Sequence, residues 1–267
     1  MLARAVVRAY NTPQVKRFLW RTSYDFLARR YRDDRWTFMN YGYRPPHGAS
    51  SLALAPEDEP DRSCIQLYQL VAGAVDLTGQ EVLEVGSGRG GGTSFVARHL
   101  RPRRIVGVDV SPQAVAFSRA RHSAPGLSFE AGDAERLGFA PASFDAVLNV
   151  ESSHCYGDLS AFLNEVRRVL RAGGYFLYAD FRARAVLEDW RAELLAAGMR
   201  LVGEQDITPG IVAALDADDE SKRGLIKTLV ARPLVRAFLQ FAALRGSIRY
   251  NALRKGTVVY RAFVFQK

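Results

Sequence analysis

Three acidic residues disposed around a glycine-rich turn carry the strongest chemical signal in this sequence. The turn, Gly86-Ser87-Gly88-Arg89-Gly90-Gly91-Gly92, follows the apolar run Val82-Leu83-Glu84-Val85 and leads into Thr93-Ser94-Phe95-Val96, which reads as a helix. Strand, glycine turn and helix together bring bare backbone N–H groups close to a bound ligand. Gly86, Gly88 and Gly91 satisfy G-x-G-x-x-G. That pattern fits a dinucleotide, another adenosyl cofactor, or simply a tight turn. The acids narrow the choice. Asp109 closes the next predicted strand, where a carboxylate takes both hydroxyls of a ribose. Glu84, just upstream of the turn, is awkward for a pyrophosphate and suits an ammonium group. Asp133, in Ala131-Gly132-Asp133-Ala134-Glu135, is placed to accept from an adenine amino group. Each acid alone also reads as an ordinary strand-end or capping residue. Their joint placement points to a ligand with adenosine, an ammonium and a sulfonium, S-adenosylmethionine, with NAD as the competing cofactor.

The methyl group of such a cofactor is already activated, so a protein using it must align an acceptor atom and remove a proton. The base belongs at the end of the fourth strand, facing the cofactor. His154, in Glu151-Ser152-Ser153-His154-Cys155-Tyr156, is there, and imidazole titrates near neutrality. The other histidines, His47, His99 and His122, are not at that strand end. Asp180, closing the fifth strand, is the second catalytic candidate. It would orient His154 or take the proton itself; its plain reading is a helix cap. Glu151 is the third, as an orienting group for the substrate or for a lid. Cys155 reads as a small packing residue. No convincing metal cluster is visible, so none is assigned, although His154 and Asp180 could in principle share a metal.

Regular elements must hold these residues in place. Predicted strands lie at 81–85, 104–109, 127–130, 144–150, 175–180, 199–207 and 257–265. Helices alternate with them at 62–75, 92–100, 111–122 and 159–170. Asp61 is read as the cap of the first helix, Ser111-Pro112 as the start of the third, and Gly173-Gly174 as the stop of the fourth. This alternation argues an α/β fold: a doubly wound, Rossmann-like, seven-stranded, mostly parallel sheet with an antiparallel edge strand. The last two strands are separated by an apolar helical insertion at 208–255. Residues 13–31 carry apolar positions at helical spacing with arginines opposite, a basic amphipathic helix. Trp36-Thr37-Phe38-Met39-Asn40-Tyr41-Gly42-Tyr43 is densely aromatic and reads as a lid or as a core anchor. The domain expectation is an N-terminal helical and aromatic lid at 1–60 and a cofactor-binding domain at 61–267.

Composition narrows the alternatives. Length, 267 residues, suits one large core, and 48% hydrophobic against 24% charged residues argues against disorder. The net charge of +9 raises nucleic acid or an anionic membrane as partners. The arginines are scattered rather than clustered, so nucleic acid is not expected, and at most a weak membrane-surface contact through 13–31 is. Two cysteines make no disulfide framework, and no apolar run is long enough to span a bilayer. A cytoplasmic location follows as an expectation. Monomer or homodimer is left open.

Several motifs resemble a known family. Glu84-Val85-Gly86-Ser87-Gly88-Arg89-Gly90, Gly107-Val108-Asp109, Gly132-Asp133-Ala134 and Leu170-Arg171-Ala172-Gly173-Gly174 resemble the motif set of class I S-adenosylmethionine-dependent methyltransferases. Phe38-Met39-Asn40-Tyr41-Gly42-Tyr43, Asp58-Glu59-Pro60, the stretch from Asn149 to Tyr156, Asp206-Ile207-Thr208 and Ala214-Leu215-Asp216 are similar to phthiotriol/phenolphthiotriol dimycocerosates methyltransferases and related bacterial polyketide O-methyltransferases. The resemblance implies methylation of a hydroxyl on a hydrophobic lipid or polyketide. It implies that Gly86, Ser87 and Gly88 approach the methionine part, Glu84 its amino group, Asp109 and Val110 the ribose, and Asp133 with Ala134 the adenine. Asn149 joins this cofactor set, and Tyr41 and Tyr43 would form a lid over the sulfonium. A C-methyltransferase of a quinone or sterol-like substrate is the alternative.

Overall fold

In the computed structural model the described residues are 33–45 and 52–267, with Thr12, Thr22 and Arg30. The basic helix expected at 13–31 and most of the expected lid at 1–60 lie outside the described residues.

The alternation of apolar runs and glycine turns resolves into seven strands: β1 (Glu81–Val85), β2 (Arg104–Asp109), β3 (Leu127–Ala131), β4 (Phe144–Val150), β5 (Leu170–Ala183), β6 (Arg200–Asp206) and β7 (Val258–Gln266). They form one sheet in the order β3-β2-β1-β4-β5-β7-β6. β1 lies between β2 and β4, parallel to both, so chain order reverses there. That reversal opens the crevice at the strand carboxyl ends where ligands of such sheets bind. β7 runs antiparallel to both β5 and β6. The antiparallel pair therefore sits at one edge as the sequence predicts, with β7 one position in and β6 outermost.

Side-chain alternation divides the core between the two faces of the sheet. Val82, Ala146, Leu148, Leu177 and Ala179 face one side, with Ile65, Leu67 and Phe95 of the helices α1 (Arg62–Ala72) and α2 (Gly91–His99). Leu83, Val85, Val147, Phe176 and Tyr178 face the other. There they meet α4 (Leu159–Val169) and α5 (Leu187–Ala196) through Phe162, Val166, Trp190 and Leu194. Burial on both faces explains why β1 and β4 read as nearly continuous apolar runs.

Local signals held unevenly. Ser111 caps α3 (Pro112–Arg121) by accepting from the Ala114 N–H at 3.2 Å. Asp61 occupies the cap position of α1 but makes no side-chain cap; it accepts instead from the Thr37 hydroxyl at 3.4 Å. Gly173-Gly174 does not stop α4. The helix ends at Val169, and β5 begins at once with the glycines inside it, where the pairing with β4 slips out of register between Phe144 and Ala146. The insertion before β7 is helical as expected: α6 (Thr208–Leu229), α7 (Val235–Phe241) and α8 (Ile248–Arg254). Ile211, Leu215, Tyr250 and Leu253 anchor it to the first core face. Among the described residues no helix is long and apolar enough to cross a membrane.

Candidate active site

The glycine turn is built around the second strand. Gly86 and Ser87 donate their N–H groups to the Val108 carbonyl at 2.7 and 3.0 Å, and Gly88 donates to Oδ2 of Asp109 at 2.8 Å. Gly86 and Gly88 have φ of +79° and +54°, the left-handed region that favours glycine. The other oxygen of Asp109 accepts from the Ser111 N–H at 2.9 Å, so one carboxylate ties the turn to the start of α3. Burial pushes this carboxyl up to about 6 despite the two amides. The hydroxyl of Ser87 is buried and has no partner among the described residues. A carboxylate offers about four acceptor positions, so Asp109 keeps capacity for the hydroxyls of a ligand.

Three residues expected at the cofactor stand behind this surface. Glu84 is fully buried, and its carboxyl accepts from the hydroxyls of Tyr68, at 2.6 Å, and Thr93. Burial pushes it up to about 7, against the pull of those two hydroxyls. Asn149 is fully buried, with its amide in hydrogen-bond reach of the Val85 carbonyl, Ser152 and Tyr156. Tyr43 lies in the core, where Gly210 leaves room for it: a Cβ on Gly210 would come within 2.1 Å of the Tyr43 ring. None of the three is among the residues that line the cavity, and Oδ1 of Asn149 has no partner among the described residues. Glycine spacing and strand-end acids tell nothing about which of several nearby side chains has its polar atoms already engaged.

His154 and Asp180 come together at the ends of β4 and β5. Nδ1 of His154 is 2.9 Å from Oδ1 of Asp180, and the His154 backbone N–H donates to Oδ2 at 2.8 Å. Asp180 is fully buried and also accepts from the Ser153 hydroxyl at 2.6 Å and the Phe181 N–H at 2.8 Å, with Arg182 at 3.2 Å. Burial alone would raise its pKa, but the charges of His154 and Arg182 hold it well below the usual carboxylate range. For His154 burial opposes the imidazolium. Cys155 and Asp180 more than offset that, and the ring is raised to about 10.

Glu151 has another job. It is a non-glycine residue at φ +53°, and its Oε2 accepts from the Tyr41 N–H at 2.9 Å and the Tyr260 hydroxyl at 3.0 Å. Lys222 of α6 donates to the Tyr41 carbonyl at 3.2 Å. The peptide groups on both sides of Tyr41 are thus pinned, one from the sheet and one from the insertion. The Tyr41 ring stacks on Phe181 at 5.5 Å, and Phe181 lies 4.4 Å from the His154 ring. Left-handed backbone at a non-glycine residue is strained and persists where its surroundings hold it.

All of this opens into a cavity of about 510 Å³, within the range of small-molecule sites. Gly86, Ser87, Gly88, Asp109, Val110, Asp133 and Ala134 line it together with Tyr41, Glu151 and His154. Phe38, Met39, Phe241, Ile248, Ala252 and Val258 supply apolar wall. Tyr68, Tyr156, Phe181 and Arg249 also line it and were not singled out from the sequence. Phe181 was foreseeable, since it follows Asp180 directly. Arg249 was not, because it reaches the cavity only through the packing of α8. Among the described residues no group of three or more His, Cys, Asp or Glu side chains is placed to hold a metal ion.

Comparison with known proteins agrees with this geometry. Residues 83–178 match the family model described as a methyltransferase domain. The chain is 40% identical over 247 residues to a fatty-acid O-methyltransferase of Mycolicibacterium smegmatis, covering 91% of this chain and 88% of the relative. It is 38% identical over 264 residues to a phthiotriol/phenolphthiotriol dimycocerosates methyltransferase of Mycobacterium tuberculosis, covering 98% and 96%. The fold matches a geranyl diphosphate C-methyltransferase of Streptomyces coelicolor, solved with S-adenosylhomocysteine, at a TM-score of 0.62 and 17% identity over 91% of this chain and 97% of that one. On the strength of the glycine turn, the sheet order and these relatives together, the chain belongs to the S-adenosylmethionine-dependent methyltransferases.

Proposed function

We propose that this protein methylates an oxygen, in the first place a hydroxyl, of a hydrophobic lipid, with His154 as general base. The observation that carries the reading is that the His154–Asp180 pair and the glycine turn line the same cavity. S-adenosylmethionine, when bound, supplies an activated methyl group. Asp109 and Val110 would hold its ribose, Asp133 and Ala134 its adenine, and Gly86, Ser87 and Gly88 its methionine part. The unpartnered Ser87 hydroxyl and the spare acceptor capacity of Asp109 fit such a ligand. Tyr41, pinned by Glu151 and Lys222, would shield the reacting centre from water.

With Nδ1 paired to Asp180, Nε2 would be the ring nitrogen that takes the acceptor's proton. A raised pKa makes His154 a strong base that first has to be neutral. A positive charge bound in the same cavity favours the neutral ring. The insertion at 208–255 would act as the substrate cap, since Phe241, Ile248 and Ala252 contribute apolar wall. The two relatives are named for a fatty acid and for a phthiotriol, which supports a lipid acceptor here. The test is calorimetric titration with S-adenosylhomocysteine, followed by incubation with S-adenosylmethionine and a long-chain alcohol and mass spectrometry for the methyl ether. Folded protein that binds no S-adenosylhomocysteine would sink the reading.

A further inference from the structure

We propose that Arg249 determines acceptor specificity by pairing with a carboxylate carried by the lipid; this rests on the lipid-acceptor reading above. Arg249 lies on α8, in the insertion, and lines the cavity. Its guanidinium sits 4.5 Å from the centre of the Phe181 ring, the same ring that lies 4.4 Å from His154. No hydrogen bond or ion pair ties that guanidinium to another described residue.

The nearest acidic side chains lining the cavity make their recorded hydrogen bonds to other groups. Both oxygens of Asp180 are taken by His154, Ser153, Phe181 and Arg182. Oε2 of Glu151 accepts from Tyr41 and Tyr260. Asp109 holds the glycine turn. A ring face stabilises a cation only weakly at an accessible site, far short of what five N–H donors can return to an anion. The cavity that Arg249 lines also has apolar wall from Phe241, Ala252 and Val258. An unanswered guanidinium in such surroundings is an anion site, and its planar fork matches a carboxylate in a way an ammonium does not. Its place beside Phe181 and His154 puts that carboxylate near the reacting oxygen, with the alkyl chain left to the apolar wall.

The experiment compares dodecanoate with dodecanol, matched in chain length, binding by calorimetry to the full chain loaded with S-adenosylhomocysteine. Wild type is expected to bind the acid about 10- to 100-fold more tightly than the alcohol, the range of a hydrogen bond to a charged group. Arg249→Met, which keeps a long apolar stem over Phe181, should erase that preference while leaving alcohol and S-adenosylhomocysteine affinities unchanged. Arg249→Lys should retain part of it. Equal binding of acid and alcohol by wild type, or equal weakening of both by Arg249→Met, would overturn the role of Arg249 and leave the lipid reading standing. Binding of neither compound by protein that takes up S-adenosylhomocysteine would overturn both.

Discussion

Nδ1 of His154 lies 2.9 Å from the carboxylate of Asp180, which is fully buried, accepts from three further groups and pairs with Arg182. This arrangement sets one tautomer of the imidazole. Together with Cys155, it favours the charged ring, whose pKa is raised to about 10. Rate and stability should both record that charge.

The rate should depend on pH in a specific direction. With a hydroxyl acceptor, the neutral form of His154 is the active one. kcat/KM, which reports the free enzyme, should climb about tenfold per pH unit from neutrality toward about 10. kcat should level off at lower pH, because the bound sulfonium disfavours a second cation. His154→Gln should lower kcat by about 100- to 10,000-fold and remove the alkaline limb, with S-adenosylhomocysteine affinity unchanged. A variant that keeps wild-type turnover would show that the proton leaves by another route.

Stability should vary with pH through the same pair. His154 is raised on folding, so its contribution is complete below about pH 6.5 and is lost as pH rises through about 10. Asp180 is depressed, so its contribution is complete above about pH 3.9 and is lost as the solution is acidified toward its folded value. The pair therefore stabilises most between about pH 4 and 6.5. Thermal melts should show the wild-type midpoint declining from pH 7 to 10, and Asp180→Asn should flatten that slope. The same substitution should cost about 3–5 kcal/mol near neutrality, as for a broken buried ion pair. A slope shared by wild type and Asp180→Asn would rule out the pair as its source.

Cofactor affinity should separate two acids that look equivalent in the sequence. Asp109 lines the cavity, whereas Glu84 is enclosed by Tyr68 and Thr93. Asp109→Ala should weaken S-adenosylhomocysteine by at least about tenfold, since hydrogen bonds to a charged group are lost. Glu84→Gln keeps an acceptor for one hydroxyl and presents its amide N–H to the other, and should change affinity by less than about threefold. Calorimetry on both variants decides it. A large loss in Glu84→Gln would mean that Glu84 reaches the ligand after all.

Local chemistry along the chain was enough to reveal the sheet, the glycine turn and the cofactor class. Short apolar runs bounded by turns, Ser111-Pro112 and the glycines at 86 and 88 each act within a few residues, so one sequence suffices to read them. The placement of His154 and Asp180 at adjoining strand ends was legible for the same reason: parallel strands in an alternating fold bring their carboxyl ends to one side. What neighbouring residues cannot encode is which polar atoms are already satisfied. Glu84 and Asn149 have the right types near the right turn, yet Thr93 engages the Glu84 carboxyl and Val85 the Asn149 amide N–H, while the Tyr43 ring packs against Gly210. Glu151 turned out to hold the Tyr41 peptide, and Arg249 came to the cavity through the folding back of α8. Several of these contacts join segments far apart in the chain, Glu151 and Tyr41 by 110 residues, and packing decides them, where burial and the count of available donors and acceptors choose among residues that sequence pattern treats alike.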